Sequence, residues 1–138
     1  MISVLIDTNV VLDYAEEREG FFEAAQKVFK IVRQRKIIGC VSASAVTDIF
    51  YFLLKRYKDP DFVILLLKKL IRILTILTVD RQTIDTAIES GMADFEDAVQ
   101  AAAAQDFGID IIVTRDKIGF HGSALRVYSP EEFLEMLK

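Results

Sequence analysis

The sequence predicts a three-layer α/β/α fold with a central parallel sheet of four to five strands. Three observations lead there. Short, largely apolar runs recur at residues 2–6, 37–41, 74–77 and 110–113; continuous apolarity over so few residues marks a strand buried on both faces. Longer stretches of helical periodicity lie between them. Strands that alternate with helices run parallel, because each crossover returns the chain to the same end of the sheet and lays its helix on a face.

In order along the chain, the first strand at residues 2–6 is followed by a helical pattern over 10–17. Gly20 breaks that pattern, and a second helix covers 21–35. Residues 37–41 are the second strand. Ser42 or Ser44 caps the next helix, which runs to residue 57: a hydroxyl there accepts from an amide that the first turn leaves unpaired. Asp59-Pro60-Asp61 starts a further helix, with Pro60 near the first turn where its missing N–H is not needed, and it ends near residue 72. Residues 74–77 are the third strand. Asp80 caps a helix that reaches residue 90 and is ended by Gly91. Asp94 caps an alanine-rich helix that runs to about residue 107 and stops at Gly108. Residues 110–113 form the fourth strand and 125–128 are the candidate fifth. Ser129-Pro130-Glu131-Glu132 opens a closing helix, with a cap and then proline at the first position.

At 138 residues the chain fits one domain, residues 1–138, large enough to bury a core. A 52% hydrophobic share against 28% charged excludes a disordered chain, and two prolines and six glycines leave little room for linkers. The net charge of -4 argues against a general nucleic-acid binder, whose phosphate affinity comes from Lys and Arg. Aspartates that hold divalent cations, however, do not act as bare negative charge. Three basic groups (Arg33, Arg35, Lys36; Lys55, Arg56, Lys58; Lys68, Lys69, Arg72) read as solvated helix faces. Cys40, the one cysteine, cannot form an internal disulfide and reads as a small buried hydrophobe. A single histidine, His121, excludes a multi-His or Cys/His zinc site. The apolar N-terminus is too short for a signal peptide and lacks its basic flank. Residues 62–79 are interrupted by Lys68, Lys69 and Arg72, short of the roughly 20 apolar residues of a membrane span, and read as a helix followed by a strand. A cytoplasmic protein is expected.

Parallel strands point their C-terminal ends at one edge of the sheet, where ligands bind. Asp7 directly follows the first strand, and Asp116 lies three residues past the fourth. Asp48 sits in the second turn of the helix leaving the second strand. Asp97 sits in the first turn of the alanine-rich helix, whose start reaches the same edge only if the helix at 80–90 and the Gly91 turn carry the chain there. Each aspartate has an ordinary explanation alone: a cap at Asp7, the helix dipole at Asp97, a turn at Asp116. Together they are costly unless protons or cations compensate them. Such hard oxygen donors suit Mg²⁺ or Mn²⁺, ions that assist phosphoryl chemistry. An aspartyl-phosphate phosphatase needs a second acid two residues after the first, where this chain has Asn9. A receiver domain needs paired acids at the first strand, a central acceptor aspartate and a late lysine, which also fits poorly. No P-loop glycine pattern is present.

Four segments then carry a family resemblance: Val4-Leu5-Ile6-Asp7-Thr8-Asn9, Ser42-Ala43-Ser44-Ala45-Val46-Thr47-Asp48, Asp94-Phe95-Glu96-Asp97-Ala98-Val99-Gln100-Ala101-Ala102 and Ile112-Val113-Thr114-Arg115-Asp116. In order and spacing, over nearly the whole chain, they resemble the PIN-domain family, in particular the toxin ribonucleases of VapBC toxin–antitoxin modules. The resemblance implies a PIN-like parallel sheet and a ribonuclease dependent on Mg²⁺ or Mn²⁺. RNA phosphodiesters would be hydrolysed by a metal-activated water, leaving 5′-phosphate and 3′-hydroxyl ends. It implies Asp7, Asp48, Asp97 and Asp116 as catalytic and metal-site acids, with Asp94 a fifth carboxylate or a cap. Thr8, Asn9, Ser44 and Thr114 would be supporting polar groups, and Arg115 would meet a phosphate or pair with a site carboxylate. RNA, a small antitoxin and a second copy of the chain are the implied partners. His121 reads as a loop histidine, with proton transfer or RNA contact as the functional alternative. Tyr51, Phe52 and Tyr57 read as core, with base stacking as the alternative. The helix through 62–73 is apolar around much of its circumference, as a dimer interface, an antitoxin groove or a thicker core requires. Two departures stand out. The family more often has Glu where this chain has Asp48. Many relatives also carry an acid near the position of Gly119, whose absence predicts a weaker second metal. The competing reading is a non-catalytic PIN-fold binding protein. RNA against DNA and the number of metals stay open.

Overall fold

Ser3–Ile6 (β1), Ile38–Ser42 (β2), Thr75–Leu77 (β3), Ile111–Val113 (β4) and Arg126–Tyr128 (β5) pair in parallel in the order β3-β2-β1-β4-β5. The computed structural model describes residues 1–138. The helices are Thr8–Ala15 (α1), Phe22–Arg33 (α2), Ala43–Tyr57 (α3), Pro60–Ile73 (α4), Arg81–Glu89 (α5), Phe95–Asp106 (α6) and Pro130–Met136 (α7). The candidate fifth strand is therefore a strand. The sheet grows from β1 first toward β2 and β3 and then, on the other side, toward β4 and β5. That reversal opens a crevice between the C-terminal ends of β1 and β4.

Alternation along β1 shows why the sheet is covered twice. Val4 and Ile6 point into a core shared with Val28 and Phe29 of α2, Ile49 and Leu53 of α3 and Phe133 of α7. Leu5 points the other way, into a core with Cys40, Ala101, Ala103, Ala104, Ile112 and Phe120. Successive side chains on a strand face opposite sides, so an all-apolar strand needs helices on both. The alanines of α6 follow from the same geometry. That helix is wedged between the sheet and α5, with Ala98 and Ala102 packed beside Ala87. Small side chains let three layers approach. Cys40 is 2% exposed and burial pushes its thiol up to about 11, which makes it the inert hydrophobe expected.

The caps correct the predicted boundaries. α1 begins at Thr8 because Asp7 accepts from the Thr8 amide (2.7 Å). Ser42, not Ser44, caps α3, accepting from Ala45 N at 3.2 Å, while Ser44 is hydrogen-bonded to the Ser42 hydroxyl at 2.9 Å. α2 ends before Arg35, whose φ of 58° is left-handed. A 3-10 turn, Ile118–Phe120, follows β4; three residues carry no periodicity to read. On α4, Val63 and Leu70 are buried, but Phe62, Ile64, Leu65 and Ile71 are exposed. The apolar circumference of this helix therefore does not build a thicker core. No helix is long and apolar enough to cross a membrane.

Candidate active site

Asp7 ends β1 and caps α1, which drives its carboxylate into the crevice. It is 6% exposed and closely held. Oδ1 accepts from Thr8 N (2.7 Å) and from Gln100 Nε2 (3.4 Å); Oδ2 accepts from Thr114 Oγ1 (2.7 Å) and Asn9 Nδ2 (3.3 Å). Burial nevertheless raises its pKa above the ordinary carboxylate value; the hydrogen bonds oppose this, and Asp116 adds to the rise. Just after β4, the Thr114 hydroxyl also accepts from the Asp116 amide at 2.9 Å, and the Arg115 amide donates to Asn9 Oδ1 at 3.3 Å. Two strand ends are thus laced together by short polar side chains.

α6 supplies the third side. Asp94 caps it, accepting from Asp97 N at 2.9 Å, and Asp97 in the first turn faces Asp7 and Asp116. Burial, then the charges of Asp7, Asp94 and Asp116, push the Asp97 carboxyl up to about 7. The climb through α5 and Gly91 therefore brings Asp97 to the edge, as the sequence required. One turn on, Gln100 is 1% exposed and reaches Asp7 with its amide nitrogen, leaving Oε1 without a partner.

Gly119 shows how closely two of the acids approach. A β-carbon there would lie 2.6 Å from Asp116 Oδ2 and 2.7 Å from Asp97 Oδ2. The Gly119 amide itself donates to Asp116 Oδ1 at 3.0 Å. Where many relatives carry an acid, this chain presents backbone to Asp116.

Asp48 stands one step away. Its neighbour is Glu96, an acid outside the candidate set. Burial, with the nearby carboxyls of Asp48, Asp94 and Asp97, pushes Glu96 up to about 7. The cleft has a volume of about 330 Å³ and is lined by Asp7, Asp94, Glu96, Asp97 and Asp116 together with Thr8, Asn9, Leu12, Phe52 and a single cation, Arg18. No three of the acids converge into a finished cation cage. The donor set still fits a hard divalent ion: several carboxylates that repel one another, and beside them the buried Thr8 Oγ1 with no partner.

Other expected residues lie elsewhere. Arg115 pairs with Asp13, an acid outside the candidate set, through Nε (2.6 Å) and a terminal nitrogen (3.0 Å), and its guanidinium lies 3.8 Å from the centre of the Phe21 ring. Asp13 is 0% exposed and also meets Arg18 at 3.5 Å. His121 is exposed after the 3-10 turn and does not line the cleft. Tyr57 packs edge-on against Phe62 as a structural residue. Tyr51 is 63% and Phe52 49% exposed, so neither is core. Gln100 had a readable signal, a lone polar side chain among buried alanines. So did Asp13, an acid between apolar neighbours in a helix. Glu96 had none, since its neighbour Asp94 offered the simpler cap.

A family model described as PIN domain matches residues 3–118. Ribonuclease VapC1 of Aquifex aeolicus (strain VF5) is 27% identical over 137 residues, covering 96% of this chain and 93% of that protein. Among solved structures, DNA-bound VapBC from Salmonella typhimurium superposes with a TM-score of 0.72 at 17% identity, covering 94% of this chain and 99% of the other. VapBC2 from Rickettsia felis bound to a promoter DNA fragment superposes with a TM-score of 0.68 at 14% identity, covering 94% and 98%. With five parallel strands in this order, acids gathered where β1 and β4 end, and a family match over most of its length, the chain belongs to the PIN domain family.

Proposed function

We propose that this chain is a metal-dependent endoribonuclease, a single PIN-like domain over residues 1–138, that acts as the toxin of a VapBC-type toxin–antitoxin pair. RNA is the substrate, a small antitoxin and a second copy of the chain are partners, and the cytoplasm is the compartment. The observation that carries the reading is Asp97, whose carboxyl is pushed up to about 7 by burial and by the charges of Asp7, Asp94 and Asp116. Such repulsion persists in a fold when a cation relieves it. The similarity to Ribonuclease VapC1 supports RNA as the substrate, and the VapBC neighbours support an antitoxin.

Asp7, Asp97 and Asp116 would hold Mg²⁺ or Mn²⁺, with Asp94, Asp48 and Glu96 beside them. When bound, the ion supplies a lowered pKa for water and neutralises charge on the scissile phosphate. The chain's own groups prepare for this. Thr114, Thr8 N, Asn9 and Gln100 fix both oxygens of Asp7. Thr8 Oγ1, buried and unpaired, would orient a water. Glu96, pushed up to about 7 by burial and the neighbouring acids, can hold or return a proton near neutral pH. Hydrolysis needs no side-chain nucleophile here.

The test is RNA cleavage with Mg²⁺ or Mn²⁺, with EDTA, and with Asp7→Asn and Asp97→Asn. Cleavage should require the cation and both carboxylates. Cleavage that survives chelation and both substitutions would sink the reading.

A further inference from the structure

We propose that Arg18 and Phe52 form a strand-holding rim on the acidic cleft, in which the guanidinium takes a backbone phosphate and the ring takes a base. This deepens the nuclease reading and rests on it only in that a nucleic-acid strand enters the cleft.

Arg18 is the one cation lining a cleft that carries five carboxyl side chains. Its backbone is tied down, with its N donating to Asp13 O at 3.1 Å and its O accepting from Phe22 N at 2.8 Å. Its head group is aimed by two acids. Nε and one terminal nitrogen meet Glu16 at 3.4 and 3.3 Å, and the other terminal nitrogen lies 3.5 Å from Asp13. Asp13 is already neutralised by the closer, two-pronged contact with Arg115, at 2.6 and 3.0 Å. Glu16 alone is left to balance Arg18. A guanidinium has five N–H donors, and three contacts leave two of them free. The side chain stays 35% exposed. A cation held in place before its ligand arrives loses little freedom on binding, which favours a forked contact to phosphate.

Phe52 lines the same cleft from α3. Its neighbours Ile49 and Leu53 are buried in the core, whereas Phe52 is 49% exposed. An exposed aromatic ring beside charged groups offers a face on which any unpaired base stacks. A cation and a ring around one carboxylate cleft match the phosphate and base of one nucleotide.

The experiment binds a short fluorescein-labelled single-stranded oligoribonucleotide to the full chain across a salt series. Ca²⁺ occupies the carboxylates in place of Mg²⁺, and gels confirm that the probe stays intact. Arg18→Gln should lower the slope of log K against log salt by about 0.7, the value for one phosphate contact on a single strand, and Arg18→Lys should keep the slope. Phe52→Ala should weaken binding on the order of tenfold, and Phe52→Trp should restore it. A merely structural role for Arg18 would move the melting temperature and leave the slope alone. An unchanged slope in Arg18→Gln, unchanged binding in Phe52→Ala, or a wild-type chain that does not bind overturns the rim. These outcomes separate from the nuclease reading. EDTA-sensitive cleavage with unchanged slopes removes the rim alone, and the expected binding losses without any cleavage in Mn²⁺ remove the nuclease alone.

Discussion

Asp7 and Asp97 pose the same physical problem with different solutions. Asp7 is buried but receives four hydrogen bonds, from Thr8, Asn9, Gln100 and Thr114. Asp97 faces three like charges and is raised to about 7. Replacing Asp7 with Asn should therefore cut Mn²⁺-dependent cleavage by more than about 100-fold, since loss of a group merely supporting a ligand already costs about 10–100-fold. The raised carboxyls also set a pH dependence. Between the ordinary carboxylate pKa of 3.8 and about 7, folded Asp97 holds a proton that the unfolded chain has released. Stability from this group is full below that window and lost as pH rises through about 7. In EDTA, Asp97→Asn should raise the melting temperature over wild type by roughly 2–4 °C at pH 8, after allowance for solvent screening, and by less at pH 5. Equal differences at the two pH values would remove the repulsion argument. The same protons must leave before a cation binds. Mn²⁺ affinity measured by calorimetry should thus climb from pH 6 and level off above pH 7.

At the scale of elements, the site depends on how β4 and its loop are tied to α1. Asp13 on α1 is fully buried and grips Arg115 just after β4, so α1 holds the loop that carries Asp116. Asp13→Ala leaves the Arg115 guanidinium without its acid, while Arg18 keeps Glu16. Arg115 is partly exposed, which limits the penalty, and urea denaturation should show a loss of about 2–3 kcal/mol. Gly119 tests the opposite case, a site effect without a folding effect. The nearest atoms to a new β-carbon in Gly119→Ala are the carboxylates of Asp97 and Asp116, at 2.7 and 2.6 Å. Stability should stay within about 0.5 kcal/mol while Mn²⁺ affinity falls on the order of tenfold. Unchanged affinity would show that these two carboxylates do not share an ion.

For the whole molecule, a net charge of -4 and an acidic cleft set the balance against phosphate, and bound cations must reverse it locally. The exposed apolar face of α4, with Phe62, Ile64 and Leu65, argues for a covered surface. Sedimentation should find the chain as a dimer at micromolar concentration, with Leu65→Glu shifting it to monomer. A monomer at every concentration would sink the homodimer and leave the antitoxin as the covering partner.

The apolar runs, the caps at Asp80, Asp94 and Ser129, and the edge positions of Asp7 and Asp116 were legible in the residues, because strand alternation and capping are local rules of period and neighbour. The order β3-β2-β1-β4-β5 was not, nor was the pairing of Asp48 with Glu96, the reach of Gln100 to Asp7 or the diversion of Arg115 to Asp13. Those contacts join residues up to about a hundred positions apart, as from Gln100 to Asp7 and from Arg115 to Asp13. They depend on which faces of α1, α3 and α6 meet across the crevice. The sequence by itself determined a parallel sheet with acids at one edge; only the tertiary packing decided which acids meet and which are held by a neighbouring arginine.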